Sequence, residues 1–141
     1  MTAYRPSQVV VTYGPHIFKA FADGDFVTTE TDGDTADVVK GAGGAWAILI
    51  RDAEQVATVV ITVFADSADN RLLTQLYNAQ RAPGVGDATI LPLSVLDPNT
   101  REQEMFEQAV ISKLPTRGRS VDSVPTREWT FKGVMRAVPL A

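Results

Sequence analysis

Alternation dominates this chain. Near its end Arg127, Trp129, Phe131, Gly133 and Met135 take every second position, while Thr126, Glu128, Thr130 and Lys132 take the others. That is the period-two signature of a strand with one buried face and one wet face. Gln55–Phe64 alternates too, but both of its sets are apolar or β-branched: Ala57, Val59, Ile61 and Val63 on one side, Val56, Thr58, Val60 and Thr62 on the other. Such a strand is expected to be covered twice, by its own core and by something else. Shorter runs at 8–13, 16–21, 26–30, Trp46–Ile50, 89–96 and 106–114 also read as strands. Turn signals such as Gly14-Pro15, Asp23-Gly24-Asp25 and Pro115 punctuate them. Pro92 marks an edge or a bulge within its run. The 106–114 run fits either period, and Pro115 with the β-branched Val110-Ile111 favours strand. Trp46–Ile50 and Gln55–Phe64 flank Arg51-Asp52-Ala53-Glu54 and are expected to pair as a hairpin.

The pattern changes once. Between Asp66 and Gly84 the residues Leu72, Leu73, Leu76, Tyr77 and Gln80 recur at helical spacing, with Asp66 or Ser67 available as the cap and Pro83-Gly84 as the stop. A helix this short is marginal alone in water, so its stripe must dock on a sheet. Residues 31–44 are small, polar and glycine-rich apart from Val38 and Val39, and read as a connection long enough to be functional.

About eight short strands and one short α-helix make a mainly-β fold, an antiparallel β-sandwich or small barrel with the helix packed on it. At 141 residues one domain, 1–141, suffices. Its expected core includes Trp46, Val59, Ile61, Leu72, Leu73, Leu76, Trp129 and Phe131. Composition narrows the field further. With no cysteine, disulfides, thiolate zinc sites and cysteine nucleophiles are excluded, and a reducing cytoplasm suits the chain. No signal-peptide pattern and no run of membrane-spanning length occur, so no membrane insertion is expected.

Charge is unevenly placed. The formal net charge is −4; residues 1–70 carry four basic and ten acidic side chains, a net of −6, and residues 71–141 carry nine basic and seven acidic, a net of +2. Solvated surface accounts for this, as does the meeting of opposite charges between copies of the chain. An acidic chain is a poor nucleic-acid gripper, because that task rests on Lys and Arg neutralising phosphates.

Candidate chemistry is sparse. His16 is the sole histidine and sits in a strand pattern without a partner nucleophile, so it reads as an ordinary strand residue. The carboxylates Asp23, Asp25, Glu30, Asp32, Asp34 and Asp37 match no calcium-loop spacing and read as an exposed acidic stretch. Gly41-Ala42-Gly43-Gly44 lacks the Lys and the following helix of a phosphate loop. Lys113, Arg117 and Arg119 form a small basic group without interleaved aromatics, better suited to a turn rim or a subunit contact than to nucleic acid. No convergent set of titratable groups emerges, so no catalytic residue, metal or cofactor is assigned and the chain is read as a non-enzyme. A small-ligand barrel with Trp46 and Trp129 lining a pocket is the competing reading.

Several short motifs share one order along the chain: Phe21-Ala22-Asp23-Gly24-Asp25-Phe26-Val27, then Ala65-Asp66-Ser67-Ala68-Asp69-Asn70 leading into Leu72-Leu73. Leu76-Tyr77-Asn78-Ala79-Gln80, Ala109-Val110-Ile111-Ser112-Lys113-Leu114-Pro115 and Glu128-Trp129-Thr130-Phe131 follow. In that order the chain resembles the tail tube proteins of contractile-tailed bacteriophages, which are related to type VI secretion tubes. The resemblance implies hexameric rings stacking into a hollow tube in the virion tail, assembled in the host cytoplasm, through which genomic DNA passes without specific binding. It implies sheath, tape measure, baseplate and terminator proteins as further partners; other tail or baseplate components and phage-derived injection tubes share the architecture. On this view Asp32, Asp34, Asp37, Lys40 and Arg51 reach out of the fold towards an adjacent ring, where Lys113, Arg117 and Arg119 meet acidic partners.

Overall fold

The computed structural model describes residues 3–22, 24, 26–51, 55–84 and 89–139. Among them nine strands and one α-helix follow in the order β1 Val10–Tyr13, β2 His16–Ile17, β3 Val27–Thr31, β4 Ala36–Lys40, β5 Trp46–Ile50, β6 Gln55–Phe64, α1 Ala68–Arg81, β7 Leu91–Asp97, β8 Glu102–Lys113 and β9 Thr126–Pro139. The fold is mainly β with one short helix, as the alternation indicates. Seven strands form one antiparallel sheet in the order β2-β1-β7-β8-β9-β6-β3, and β4 and β5 form a separate pair.

The seven-stranded sheet closes on itself. Residues 16–18 hydrogen-bond to β1, through Tyr13 opposite His16, Thr12 opposite Ile17 and the Phe18 amide on the Val11 carbonyl. The same segment then crosses to β6, where Phe21 bridges Val63, the Ala22 amide donates to Thr62 and Ala20 accepts from Phe64. One stretch of chain thereby joins both margins of the sheet, which makes a barrel. Ring positions agree: Tyr13 on β1 and Phe131 on β9 lie three strands apart in the sheet, about 14 Å if it were flat, yet their centroids are 4.9 Å apart edge to face.

The inward set is what the period-two reading selects. Ala57, Val59, Ile61 and Val63 of β6 are fully buried, with Trp129 and Phe131 of β9 and Val11, Tyr13, Leu93, Phe106 and Ile111 around them. β6 pairs with β3 on one edge and β9 on the other. Its outer face is only part-covered, with Val56 45% exposed.

Helix α1 lies across one end of the barrel. Ser67 is its N-cap, accepting from the Asn70 amide. Leu73 is fully buried and Leu76 and Tyr77 flank it against the core. Leu72 is the exception among the predicted helix core: at about 100° per residue it falls on the margin of the stripe and stays outside the core cluster, only part-buried. Polar side chains fix the helix to opposite walls. The Gln80 amide exchanges two hydrogen bonds with the backbone of Ile111 in β8 (2.9 and 3.1 Å), beyond the point where β7 ceases to pair with that strand. At the other end Asp69, 4% exposed, accepts from the Lys19 and Ala20 amides (2.9 and 2.8 Å) and from His16 Nε2 (2.6 Å). These are positions where the chain leaves β1 for β6, so the helix satisfies backbone groups that no strand reaches.

Two expectations need correction. Residues 31–44 are not a plain loop: they contain β4, because Val38 and Val39 favour strand and the glycines behind them make a tight turn, Gly43 and Gly44 taking φ of 75° and 84°. Trp46–Ile50 therefore pairs with β4 rather than with Gln55–Phe64; part of the turn expected between them, residues 52–54, lies outside the described residues. Of the edge and the bulge read at Pro92, the structure has the second: it sits in an interior strand at a register shift between Leu91 and Leu93 that accommodates its missing amide.

Candidate functional site

The pair β4–β5 forms an arm that prolongs the β3–β6 hairpin. At its root Thr31 pairs with Ala57 and the Asp32 amide donates to Val56. At its far end the Gly41 amide donates to Ala45 across the glycine turn. Every one of its ten strand residues is exposed.

Register sorts these residues onto two faces. Ala36 opposite Ile50, Val38 opposite Ile48 and Lys40 opposite Trp46 share one face; Asp37 opposite Leu49 and Val39 opposite Ala47 share the other. Val38, Val39, Trp46, Ile48, Leu49 and Ile50 are 44–69% exposed. Four of them, Val38, Trp46, Ile48 and Ile50, share one face and make a patch on the order of 500 Å², the upper end of what single soluble proteins display. Trp46 is thus no core residue: it is 67% exposed, because its strand pairs only within the arm and has no second layer over it. It shares no pocket with Trp129, which is 1% exposed, stacks edge-on near Tyr77 and donates to Asn70 Oδ1 at 3.0 Å.

The charged residues expected to make subunit contacts separate into two groups. Asp32, Asp34, Asp37 and Arg51 gather at the root of the arm and partly satisfy one another. Arg51 pairs with Asp37 at 3.6 Å and donates to the Asp34 carbonyl, while Asp32 accepts from Thr58 and pairs with Lys132 at 3.5 Å. These ion pairs are solvent-exposed and contribute little on their own. Lys40 stands further along β4 beside Trp46. Lys113, Arg117 and Arg119 are exposed where β8 finishes and in the segment that follows it. By register Lys113 lies opposite Thr130 and Thr130 opposite Val60, so the basic group begins roughly 13 Å along the strands from Val56 at the arm root.

Beside the arm root the outer wall carries a shallow groove of about 520 Å³ over β6, β9 and β8. Val56, Met105 and Val134 on its floor are 42–45% exposed. A bulge creates it. Phe106 faces Met135 but Ala109 faces Gly133, so β8 carries one extra residue and turns Glu107 and Gln108 outward. Gly133 is required there, because a Cβ would stand 2.5 Å from the Gln108 carbonyl oxygen.

Other polar features are internal or local. The Tyr13 hydroxyl donates to carbonyls of Ala109 and Thr89, and burial pushes its pKa up. Arg127, 6% exposed, ties the 116–125 segment down by donating to the Gly118 carbonyl. Asp97 and Glu102 oppose each other in register with Glu104 beside them. Burial first, then Glu102 and Asp97, hold the Glu104 carboxyl above the usual range. Among the described residues no cluster of His, Asp and Glu is placed to hold a metal ion; Asp23 and Asp25 lie outside them. Among the described residues no helix is long and apolar enough to cross a membrane.

The sequence pointed to Gln80 through its place on the helical stripe, but not to its partner. His16 and Asp69 were legible only as a strand residue and a first-turn acid; their meeting across 53 residues leaves no local trace.

No protein-family profile matches the sequence, and no curated protein matches it. Solved structures do share the fold. A chain of the cryo-EM structure of the anti-feeding prophage cap (AFP tube terminating cap) aligns with a TM-score of 0.61 at 10% identity, over 99% of this chain and 93% of that one. A chain of the sheath/tube terminator of the extracellular contractile injection system PVC, in its extended state, gives 0.59 at 12% identity over 100% and 99%. A chain of the PVC sheath-tube complex in the same state gives 0.57 at 13% identity over 96% and 93%. At such identities the likeness is one of fold, and the fold is one found in contractile injection assemblies.

Proposed function

We propose that this protein is a structural subunit of the tube of a contractile tail, in a bacteriophage or in a phage-derived injection device, where copies associate into six-membered rings that stack. The observation that carries this reading is the arm: apolar on both faces, exposed along its whole length and built by the chain's own turn chemistry. A solitary molecule has no use for such a surface, and identical neighbours supply cover for it at every position of a repeating assembly. The near-complete overlap with chains from tube, cap and terminator assemblies supports the same view.

The role is mechanical and needs no cofactor. Sheath, tape measure, baseplate and terminator proteins are the expected partners, and the acidic balance suits a conduit that lets genomic DNA, itself a polyanion, slide by without holding it. The assembled subunit would reside in the particle's tail after assembly in the host cytoplasm. A tube-terminating cap is the second reading, favoured by the cap and terminator assemblies to which two of the chains sharing the fold belong.

Negative-stain microscopy with light scattering tests both. Tubes of indefinite length identify a tube subunit, finite rings identify a terminator, and a monomer at every concentration refutes the proposal. Excising residues 36–50 is feasible because the Arg51 amide already bonds to the Thr35 carbonyl at 2.7 Å. The shortened chain should keep its melting temperature within a few degrees and lose every species above the monomer.

A further inference from the structure

We propose that the arm is received by the bulge-lined groove on a second copy, so that the apolar face bearing Val38, Trp46, Ile48 and Ile50 lies over Val56, Met105, Val110 and Val134 of its neighbour. The inference rests on the self-assembling reading above and gives it a specific donor and receiver. Three observations select this occupant.

First, both surfaces belong to the same chain and neither covers the other within it. All ten arm strand residues are exposed, and the groove floor keeps 42–45% exposure at Val56, Met105 and Val134. Second, the arm supplies much of the area that such a contact needs. The arm is about 17 Å long, and its patch of roughly 500 Å² supplies more than half of the 800 Å² or so that each partner of a stable interface contributes.

Third, the two surfaces offer a pair of opposite charges, in a groove also lined by Arg136 and by Lys132, the latter already paired with Asp32. Lys40 stands on the apolar face beside Trp46, and Glu107 is turned into the groove by the bulge. Neither side chain has an ionic partner among the described residues. Lys40 against Glu107 would fix the arm's register while the apolar contacts supply the affinity. The contact is heterologous, because the donor and receiver patches differ, so each copy can give one arm and accept another; that geometry closes a ring or extends a filament.

The absence of cysteine from the chain makes the contact easy to probe. Ile48→Cys and Val134→Cys proteins, each with a single thiol, are mixed under a mild oxidant. A mixed disulfide in excess of either symmetric product is expected. A complementation test runs beside it with Ile48→Asp, which cannot donate, and Met105→Asp or Val134→Asp, which cannot receive; thermal melts establish that each is folded. Each alone should be monomeric, and a mixture should give a 1:1 pair that grows no further. If receiver variants polymerise like wild type, or only symmetric disulfides form while wild type assembles, the groove is not the receiver and the self-assembling reading survives. If wild type never leaves the monomer, both fall together.

Discussion

The barrel and the arm are made of the same kinds of residue and have opposite fates. Val59 and Ile61 in β6 are fully buried, whereas Val38 and Ile48 in the arm are 64% and 61% exposed. Trp129 and Trp46 repeat the contrast at 1% and 67%. The difference lies in layers. A strand in the barrel faces the opposite wall; a strand in the arm has only its own pair partner. β-Branched and aromatic residues state that a strand is to be covered, and they do not state by which molecule.

The two tryptophans offer the largest test of that contrast. Trp129→Ala should lower the stability of the folded chain by about 3–5 kcal/mol, as for any large aromatic removed from a packed core, seen as a lower denaturant midpoint. Trp46→Ala should shift it by less than about 0.5 kcal/mol and instead abolish assembly in light scattering. Equal losses of stability would erase the distinction between barrel and arm.

Asp69→Ala comes next, because it strips a charged acceptor from two backbone amides and from His16 where the barrel closes. A loss of about 3 kcal/mol is expected from hydrogen bonds of that kind, with faster hydrogen exchange at Lys19 and Ala20. Gly133→Ala should cost about 1–3 kcal/mol as overpacking against the Gln108 carbonyl, read by thermal melting; a wild-type melt would mean the bulge can yield.

The smallest expected effect is a gain. In the folded barrel Glu104 binds its proton more tightly than in the unfolded chain, chiefly through burial and then through Glu102, so its ionised form opposes folding at neutral pH. Glu104→Gln should therefore raise the denaturant midpoint at pH 7. The advantage should fade as the pH falls through the raised pKa towards the ordinary carboxylate range, where the wild-type group is protonated as well. A variant less stable than wild type at pH 7 would show that the charge is balanced by a partner.

Much of this was legible in the sequence for a physical reason. The strict period of β9 and the doubled period of β6 are consequences of the pleat, and they mark Val59, Ile61, Trp129 and Phe131 as inward whatever the topology. The helix announced itself by one change of period and by Ser67. What the sequence hid was pairing. Nothing local in Trp46–Ile50 distinguishes β4 from β6 as its partner, and the glycine turn at Gly43-Gly44 looked like slack when it is a hairpin end. The arm's charged root was visible as Asp32, Asp34, Asp37 and Arg51. Their mutual pairing, the Asp69 clasp and the groove opened at Gly133 all depend on contacts between distant positions, which periodicity does not encode.

The barrel's interior is filled by side chains and its end is stoppered by α1, with Leu73 at the plug's centre. Nothing can therefore travel through an individual molecule. Any bore must open in the space that several copies enclose, so its calibre is set by how many join the circle and not by the seven-stranded architecture, and changes at subunit boundaries would widen or narrow the passage while each core stays untouched.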